Sequence, residues 1–357
     1  MTNNINFLDV LKKYRPPVWQ QIEKYLNKID TFESFCKPSP KYKKLVKLNK
    51  DIISDYPKRL GKYVRPTLVL LTASSMNYPI NKAILTAAAM QTSEDWILIH
   101  DDFQDDSLFR RGAPALHKTI GKELAVNAGD GLHILMSKML ADNYKLIGAD
   151  KTYQIQQEFY KILNRTVLGQ TVEIKWNQEN NLNLTEKDIL FILQSKTAYY
   201  TIAGPMRLGA ILAGASKSQL EKIFQFGVYL GYCFQIQDDL LDLTSDFAGQ
   251  KKQTGNDIYE GKRTIMLVHL LKNANQNDKK KLIKIISKSR PQKTQDEVDW
   301  LIKKMDQYGS LNHSREMIKE YALLAKDYFH KELKFLSKQP ARSQLDSFID
   351  FLQNRKY

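Results

Sequence analysis

The stretch from residue 217 to residue 242, KSQLEKIFQFGVYLGYCFQIQDDLLD, carries the strongest structural signal in the sequence. Apolar and aromatic residues fill nearly every position from Phe224 to Ile236, so a helix formed here has almost no polar face before its end. Such a helix is buried in a large core or spans a membrane. No apolar run in the chain approaches the roughly 18 uninterrupted residues of a span. The stretch therefore predicts a buried central helix that ends in carboxylates.

The composition of the whole chain also favours helices. The chain has 357 residues, 43% of them hydrophobic, with only 16 glycines and 11 prolines. This length allows one or two domains. Helical patterns run through residues 64–76, 80–104, 121–147, 152–176, 186–214 and 217–246, with breaks at 78–79, 111–114 and 177–183. From about residue 273 onward Lys, Asn, Gln and Ser dominate, which predicts a peripheral helical region.

Lys and Arg exceed Asp and Glu by 54 to 39, a formal net charge of +15. This excess attracts nucleic acid, an anionic membrane surface or a small polyanionic substrate without choosing among them. No aromatic-basic recognition motif accompanies the lysines at 37–50 and 279–281, so we expect solvated helix faces there and no nucleic-acid partner. With no membrane span and no signal-peptide pattern, we expect a cytoplasmic protein whose Cys36 and Cys233 are thiols.

Two acidic clusters share one spacing, i, i+1 and i+4. They are Asp101, Asp102 and Asp105 after one apolar segment, and Asp238, Asp239 and Asp242 at the end of the central helix. On a helix the first and last carboxylates share a face, where they repel each other unless cations neutralise them. A solvated helix end could account for one such cluster, so one copy alone is weak evidence, but it accounts poorly for two copies that each end an apolar helix. The pair predicts binding of Mg²⁺, which prefers oxygen ligands.

Basic residues near the clusters indicate that the bound metal in turn holds a diphosphate. Arg110 and Arg111 follow the first cluster, Lys196 opens the sequence KTAYY, and Lys252 and Lys262 follow the second cluster. Guanidinium groups bind phosphate oxygens in a bidentate manner, and ammonium groups add neutralising charge.

Together these motifs resemble the trans-isoprenyl diphosphate synthase family. The likeness extends over about residues 60–270 through GKYVRP (61–66), DDFQD (101–105), RRG (110–112), GQ (169–170), KT (196–197), FQIQDDLLD (234–242), GND (255–257) and GKRT (261–264). It implies an all-α isoprenoid synthase fold, a single domain of antiparallel helices around a central cavity. That domain would span residues 1–357, with core motifs at 60–270 and peripheral helices at 1–59 and 273–357, and would form a homodimer.

The resemblance also assigns roles. It implies Asp101, Asp105 and Asp238 as the main Mg²⁺ ligands, supported by Asp102, Asp239 and Asp242. The allylic diphosphate would be bound by Arg110, Lys196 and Lys252, with Lys262 as a further substrate-binding residue. Isopentenyl diphosphate would be bound by Lys62, Arg65 and Arg111, and Thr197, Gln235 and Tyr200 would place oxygens near the carbocation. Arg355 and Lys356 resemble a basic tail that closes over the isopentenyl site in some members.

The implied reaction joins isopentenyl diphosphate to dimethylallyl, geranyl or farnesyl diphosphate. Magnesium and basic side chains stabilise the departing diphosphate, the isopentenyl double bond attacks the allylic cation, and a proton is then lost. The catalytic residues would be Arg110, Lys196, Thr197 and Gln235. A terpene cyclase would not need the isopentenyl-binding residues, and a non-catalytic subunit of a heteromeric enzyme would be expected to lack one acidic cluster.

Two residues that precede the first cluster, Glu94 and Trp96, affect the predictions of isopentenyl diphosphate binding and of product length. Glu94, beside Asp95, replaces the His or Gln that binds isopentenyl diphosphate in many members. Either Glu94 contacts a basic side chain, or it is protonated, or Gln91 supplies the donor. Trp96, followed by Ile97, resembles the archaeal-type pattern that limits the product to C20, although Ile97 lies more nearly under Asp101 on an ideal helix. We expect geranylgeranyl diphosphate, with a C15 product or a mixture as the alternative.

Overall fold

The computed structural model describes residues 5–244 and 254–353, and helices account for most of both stretches. The α-helices are α1 Phe7–Leu26, α2 Lys43–Lys58, α3 Val64–Ser75, α4 Ile80–Gln104, α5 Leu116–Ile120, α6 Lys122–Asp142, α7 Tyr144–Ile147, α8 Ala149–Gln178, α9 Glu186–Ile192, α10 Gly204–Leu212, α11 Lys217–Thr244, α12 Asn256–Glu260, α13 Ile265–Asn273, α14 Gln276–Ile286, α15 Gln295–Gln307, α16 Ser310–Glu332 and α17 Ala341–Gln353. A π-helix, Leu193–Ala203, joins α9 to α10. In these stretches no helix is long and apolar enough to cross a membrane.

Helix α11 is the predicted central helix, and it packs mainly against the π-helix and α16. Its small residues allow this contact, because a Cβ at Gly231 would lie 2.3 Å from the Cβ of Ala198. One apolar core surrounds α3, α4, α6 and the first half of α11, and a second surrounds the end of α11 with α13, α15 and α16. The prediction of an all-α fold is confirmed, whereas the single-domain boundaries stay a prediction.

The structure interrupts two of the predicted helices. The pattern at 121–147 is split at Asn143, where α6 ends and α7 follows, and the buried side-chain amide of Asn143 donates to Thr86 Oγ1 on α4 at 3.0 Å. The pattern at 186–214 contains the π-helix, a form that often occurs at functional sites. Hydrophobic periodicity did not reveal either feature, because both depend on contacts with neighbouring helices.

A short hairpin occupies the predicted break after the first acidic cluster. Strand β1, Phe109–Arg110, pairs with β2, Ala113–Pro114, across a turn in which Arg111 and Gly112 both have positive φ. Two-residue hairpin turns favour this backbone conformation. The turn gives the neighbouring arginines different partners, because Arg110 binds Asp102 and Arg111 binds Asp95.

Candidate active site

The first acidic cluster lies at the C-terminal end of α4, where its carboxylates diverge. Asp102 is fully buried and accepts hydrogen bonds from Arg110 Nε at 2.9 Å and from Tyr56 Oη at 2.5 Å. Asp101 faces the other way and lies 3.2 Å from Lys196 Nζ. Asp102 thus holds Arg110 in place, whereas Asp101 contacts the lysine of the π-helix and lies 4.0 Å from Arg110 Nη2.

The π-helix presents Lys196 to this cluster. Lys196 Nζ lies 2.7 Å from Glu173 Oε2 on α8, in addition to its contact with Asp101. Helix α8 comes this close because residue 169 is glycine, where a Cβ would lie 3.1 Å from the backbone nitrogen of Lys196. Gln170, the next residue, donates to Asp101 Oδ1 at 3.2 Å. The GQ motif therefore has a packing role and a polar role.

The second cluster lies at the end of α11, beside the π-helix. Asp239 is buried and accepts a hydrogen bond of 2.8 Å from Gln235 Nε2, while Gln235 Oε1 accepts one of 3.0 Å from Thr197. Asp242 accepts from the backbone nitrogen of Asp257 at 2.9 Å. Asp238 is exposed at the surface of the cluster. A hydrogen-bonded chain thus links Thr197, Gln235 and Asp239, three of the predicted site residues.

Lys262 connects the two clusters. Its Nζ atom lies 2.8 Å from Glu260 Oε2, 3.2 Å from Asp257 Oδ1 and 3.8 Å from Asp105 Oδ2. Asp105 belongs to the first cluster, and Asp257 is bonded through its backbone to Asp242 of the second. The structure therefore brings the two clusters to one site around a shared ammonium group.

This site has an excess of negative charge. Burial raises the pKa of Asp105, as does repulsion from Asp101, and both effects outweigh the attraction of Lys262. Burial and Asp257 likewise raise the pKa of Asp242 to about 8. Asp101 differs, because Lys196, Lys262 and Arg110 overcome the opposing effect of its burial and lower its pKa to about 2.

The carboxylates suit a divalent cation, although their described positions do not form a cage for one. Among residues 5–244 and 254–353, no three His, Cys, Asp or Glu side chains converge enough to hold an ion by themselves. Lys262 fills part of the space between the clusters. The donors are nevertheless hard oxygens, and burial together with neighbouring carboxylates raises the pKa of both Asp105 and Asp242, which agrees with a site that a cation would stabilise. The residues therefore fit Mg²⁺ held between the clusters with help from a diphosphate.

A second polar site lies deeper along α4. Arg65 Nη1 is 3.1 Å from Glu94 Oε2, and its guanidinium group stacks over Tyr200 at 4.6 Å. Arg111 Nη1 is 2.7 Å from Asp95 Oδ1, and Arg111 Nη2 is 3.5 Å from Glu94 Oε1. Glu94 thus lies between the two arginines predicted to bind isopentenyl diphosphate.

These contacts distinguish the alternatives for Glu94. The first, contact with a basic side chain, is what the structure shows, and it involves two such side chains. Gln91 instead donates to Asp95 at 3.2 Å. Burial and repulsion from Glu94 raise the pKa of Asp95 to about 6, although attraction to Arg111 opposes the rise.

The remaining predicted residues lie as follows. Trp96 is half-buried, with its indole stacked on His133 of α6 at 4.4 Å, and Ile97 is half-buried in the same core. Lys62 is exposed just before α3. Lys252, Arg355 and Lys356 lie outside the described residues.

Sequence reasoning assigned no role to several residues that shape the site. They are Glu173, Asp257 and Glu260, which surround the lysines, and Tyr56, which binds Asp102. Asp257 occurs in the GND motif, and Glu260 is three residues further along α12, so their spacing beside Lys262 was a usable signal. Glu173 and Tyr56 are single polar residues within helices. No motif or repeated spacing in the sequence around them marked either one as a site residue.

The described residues thus form an all-helical fold in which two acidic clusters and several basic side chains share one site. Residues 46–305 match the family model described as polyprenyl synthetase. The chain is 30% identical over 300 residues to a short chain isoprenyl diphosphate synthase of Methanothermobacter thermautotrophicus, covering 83% of this chain and 87% of the relative. It is 29% identical over 313 residues to a geranylfarnesyl diphosphate synthase of Natronomonas pharaonis, with the same coverage of 83% and 87%.

The fold agrees with that of a solved geranylgeranyl pyrophosphate synthase from Corynebacterium glutamicum, complexed with isoprenyl diphosphate and magnesium. The TM-score is 0.86 at 22% identity, covering 97% of this chain and 99% of the other. The chain belongs to the polyprenyl synthetase family. The predictions of the family, of the isoprenoid synthase fold and of a prenyltransferase are confirmed.

Proposed function

We propose that this prenyltransferase condenses isopentenyl diphosphate with dimethylallyl, geranyl or farnesyl diphosphate, head to tail and with trans geometry, and that it requires Mg²⁺. The observation that carries the proposal is the meeting of both acidic clusters around Lys262, beside the separate arginine pair Arg65 and Arg111. The site around Lys262 suits the metal-bound diphosphate of the allylic substrate, which leaves in the reaction. The site around Arg65 and Arg111 suits the diphosphate of isopentenyl diphosphate, which stays attached to the product.

In the proposed reaction, Asp101, Asp105 and the second cluster would hold Mg²⁺, and the ion would supply positive charge beside the departing diphosphate. Arg110, Lys196 and Lys262 bind the same diphosphate and stabilise its charge as the allylic carbon–oxygen bond breaks. Thr197 and Gln235 place oxygens on the π-helix side of the site, where a carbocation would be stabilised. The isopentenyl double bond attacks this cation, and the proton then leaves to the released diphosphate.

In the same proposal, Asp102 supports the metal site through Arg110 rather than by direct contact. Both carboxylate oxygens of Asp102 accept hydrogen bonds from Arg110, and Oδ2 also accepts one from the Tyr56 hydroxyl. Asp239 is held by Gln235, and Asp242 by the backbone of Asp257. Lys62 would add positive charge to the isopentenyl site, and Lys252 would add it to the allylic site.

We propose geranylgeranyl diphosphate as the main product, with Trp96 and Ile97 limiting its length. The stack between Trp96 and His133 joins α4 to α6, and this contact supports a fixed floor. A relative from Geoglobus acetivorans is named as a geranylgeranyl pyrophosphate synthase, which agrees with this length, whereas the relative from Natronomonas pharaonis is named for the longer geranylfarnesyl product. Farnesyl diphosphate or a C15/C20 mixture remains the alternative product.

We also propose a homodimer and a cytoplasmic location. Tyr153, Tyr160 and Val167 lie seven residues apart on α8 and are all exposed, and Ile134 on α6 is exposed as well. An apolar stripe with this spacing is typical of a helix–helix interface. The free thiols of Cys36 and Cys233 agree with a reducing compartment.

The test is incubation of the purified protein with Mg²⁺, labelled isopentenyl diphosphate and each allylic primer, followed by chromatography of the dephosphorylated products. We expect label in products that end at C20. A cyclase would consume an allylic diphosphate without incorporating label, and a non-catalytic subunit would convert nothing. Either result would refute the proposal. Products longer than C20 would refute only the role of Trp96 and Ile97.

A further inference from the structure

The segment from residue 27 to residue 51, between α1 and the buried half of α2, has an unusual surface. None of its residues is buried, although many are apolar. Phe35 is 89% exposed and Leu45 is 59% exposed, and Phe32, Tyr42 and Leu48 are also exposed. Single exposed apolar residues are normal, but a contiguous group on one segment marks an interaction surface.

The same segment is strongly basic. Lys37, Lys41, Lys43, Lys44 and Lys47 are all exposed, and no Asp or Glu occurs from Ser34 to Lys50. On α2, Leu45 and Val46 lie on one side while Lys43 and Lys47 lie on the adjacent side, as the helical repeat requires. We call these exposed apolar residues and lysines of residues 32–48 the basic apolar patch.

The patch has a defined shape. Lys50 Nζ binds Asp30 Oδ1 at 2.9 Å and the carbonyl of Asn27 at 3.3 Å, which fixes the turn after α1 against α2. Between them lies a groove of about 300 Å³ whose apolar lining includes Ile29, Phe32 and Leu45. Asp30 and Asn49 also line the groove, and in the sequence its lining residues Tyr42 and Leu45 are separated only by the exposed Lys43 and Lys44. Apolar and cationic side chains therefore follow one another along this part of the chain.

We propose that the basic apolar patch binds the surface of an anionic lipid bilayer. An amphipathic segment with aromatic and aliphatic residues on one side and lysines beside them is the pattern of interfacial membrane binding. Lysines near an anionic leaflet add attraction, and apolar side chains enter the boundary between headgroups and acyl chains. A bilayer supplies both complementary chemistries at once.

Charge argues against a second copy of the chain as the occupant. A symmetric dimer would place the same patch on both subunits, so lysines would face lysines with no carboxylate from residues 34–50 to pair with them. Nucleic acid would match the lysines, but it offers no partner for Leu45 and Leu48. Both remain measurable outcomes of the experiment below.

The test is flotation of the full-length protein with two kinds of vesicle, phosphatidylcholine alone and phosphatidylcholine with about 30% phosphatidylglycerol. We expect binding to the anionic vesicles only, and loss of binding between 0.1 M and 1 M salt, where the Debye length falls from about 10 Å to about 3 Å. The variant K43Q/K44Q/K47Q should weaken partition by about 100-fold. The variant F35S/L45S should weaken it by at least about tenfold.

Matched controls separate the patch from the overall charge and apolarity of the protein. K279Q/K280Q/K284Q removes three exposed lysines from α14, and L323S/L324S removes two exposed leucines from α16. Both controls should bind as the unaltered protein does. The proposal is refuted if the controls lose binding equally, if neutral and anionic vesicles bind alike, or if neither binds.

Two further results would assign the patch to another occupant and also refute the proposal. One is retention of a random-sequence DNA duplex that only the patch variants lose. The other is a smaller oligomer for F35S/L45S in sedimentation velocity, which would identify the patch as a contact between copies. Because all the altered side chains are exposed, unchanged thermal unfolding should confirm that each variant folds.

Discussion

The two diphosphate sites proposed here balance charge in opposite ways. Around Lys262, carboxylates of both acidic clusters and of α12 outnumber the ammonium groups that face them. Around Arg65 and Arg111, two guanidinium groups face two carboxylates, Glu94 and Asp95. The first site therefore needs an added cation to be neutral, whereas the second is already paired. Predictions that change one charge at a time test this difference.

The largest expected effect is at Asp105. D105N removes a carboxylate that faces the other cluster, so kcat should fall about 10²-fold to 10³-fold in the labelled isopentenyl diphosphate assay. In the absence of metal the same variant should be more thermally stable, because burial and Asp101 raise the pKa of Asp105 and make its charge unfavourable.

The matched control for D105N is its neighbour Asp106. Asp106 is exposed and binds Lys118 Nζ at 2.6 Å instead of facing the second cluster. D106N should leave kcat within about twofold, because exposed ion pairs contribute little. Equal losses of activity in D105N and D106N would show that the acidic site depends on the charge of the segment and not on the position of Asp105.

The second effect is at Lys262. K262Q leaves Asp105, Asp257 and Glu260 without their shared cation, so the free energy of unfolding should fall by about 3 kcal/mol. Millimolar Mg²⁺ should restore more stability to K262Q than it adds to the unaltered protein. Urea unfolding with and without Mg²⁺ measures both quantities.

K118Q is the control for K262Q. It removes a lysine that pairs with the exposed Asp106, and its cost should stay below about 1 kcal/mol. If Mg²⁺ does not restore the unfolding free energy of K262Q, an added divalent cation does not replace the lysine. The proposed difference in charge balance between the two sites would then lose its main support.

The sequence located the elements of the acidic site well. Helices α4 and α11 have strong patterns, and the repeated Asp spacing singled out Asp101, Asp102, Asp105, Asp238, Asp239 and Asp242 as candidate ligands before any geometry was known. These features are local, since a helix alone fixes which carboxylates share a face. The distance between the two clusters could not be predicted in this way, because neither helix specifies its position relative to the other.

What the sequence could not give depends on close packing between elements. The π-helix that carries Lys196 and Thr197 interrupts a pattern that reads as ordinary helix. The hairpin that separates Arg110 from Arg111 depends on a positive φ at a non-glycine residue. The partners of Glu94 come from α3 and from this hairpin, so their positions required the whole fold.

The third effect concerns pH and the arginine site. Burial raises the pKa of Asp95 to about 6 in the folded protein, whereas the pKa is near 3.8 in an unfolded chain. Repulsion from Glu94 adds to this rise, and attraction to Arg111 opposes it. Between these values the folded protein binds the proton more strongly, so the contribution of Asp95 to stability falls as pH rises from about 4 to about 6. Relative to D95N, the protein should lose about 2 to 3 kcal/mol over this range.

The difference in unfolding free energy between the protein and D95N separates the contribution of Asp95 from the titration of other groups. Urea unfolding at pH 4, 5, 6 and 7 should show no difference at the lowest pH and a constant one above about pH 6. D306N is a suitable control, because Asp306 is exposed on α15. A difference that is constant across the range would mean that Asp95 is ionised throughout, with Arg111 fully offsetting its burial.

The smallest expected effect is at Glu94. Its carboxylate competes with a bound diphosphate for Arg65 and Arg111, so E94Q should lower KM for isopentenyl diphosphate by about tenfold. KM for the allylic primer should not change, because that substrate binds at the Lys262 site. E179Q, which removes an exposed glutamate that pairs with Lys175, should change neither constant. A higher KM for isopentenyl diphosphate in E94Q would mean that Glu94 serves chiefly to hold the arginines in position. In that case the charge balance at this site would favour substrate binding instead of opposing it.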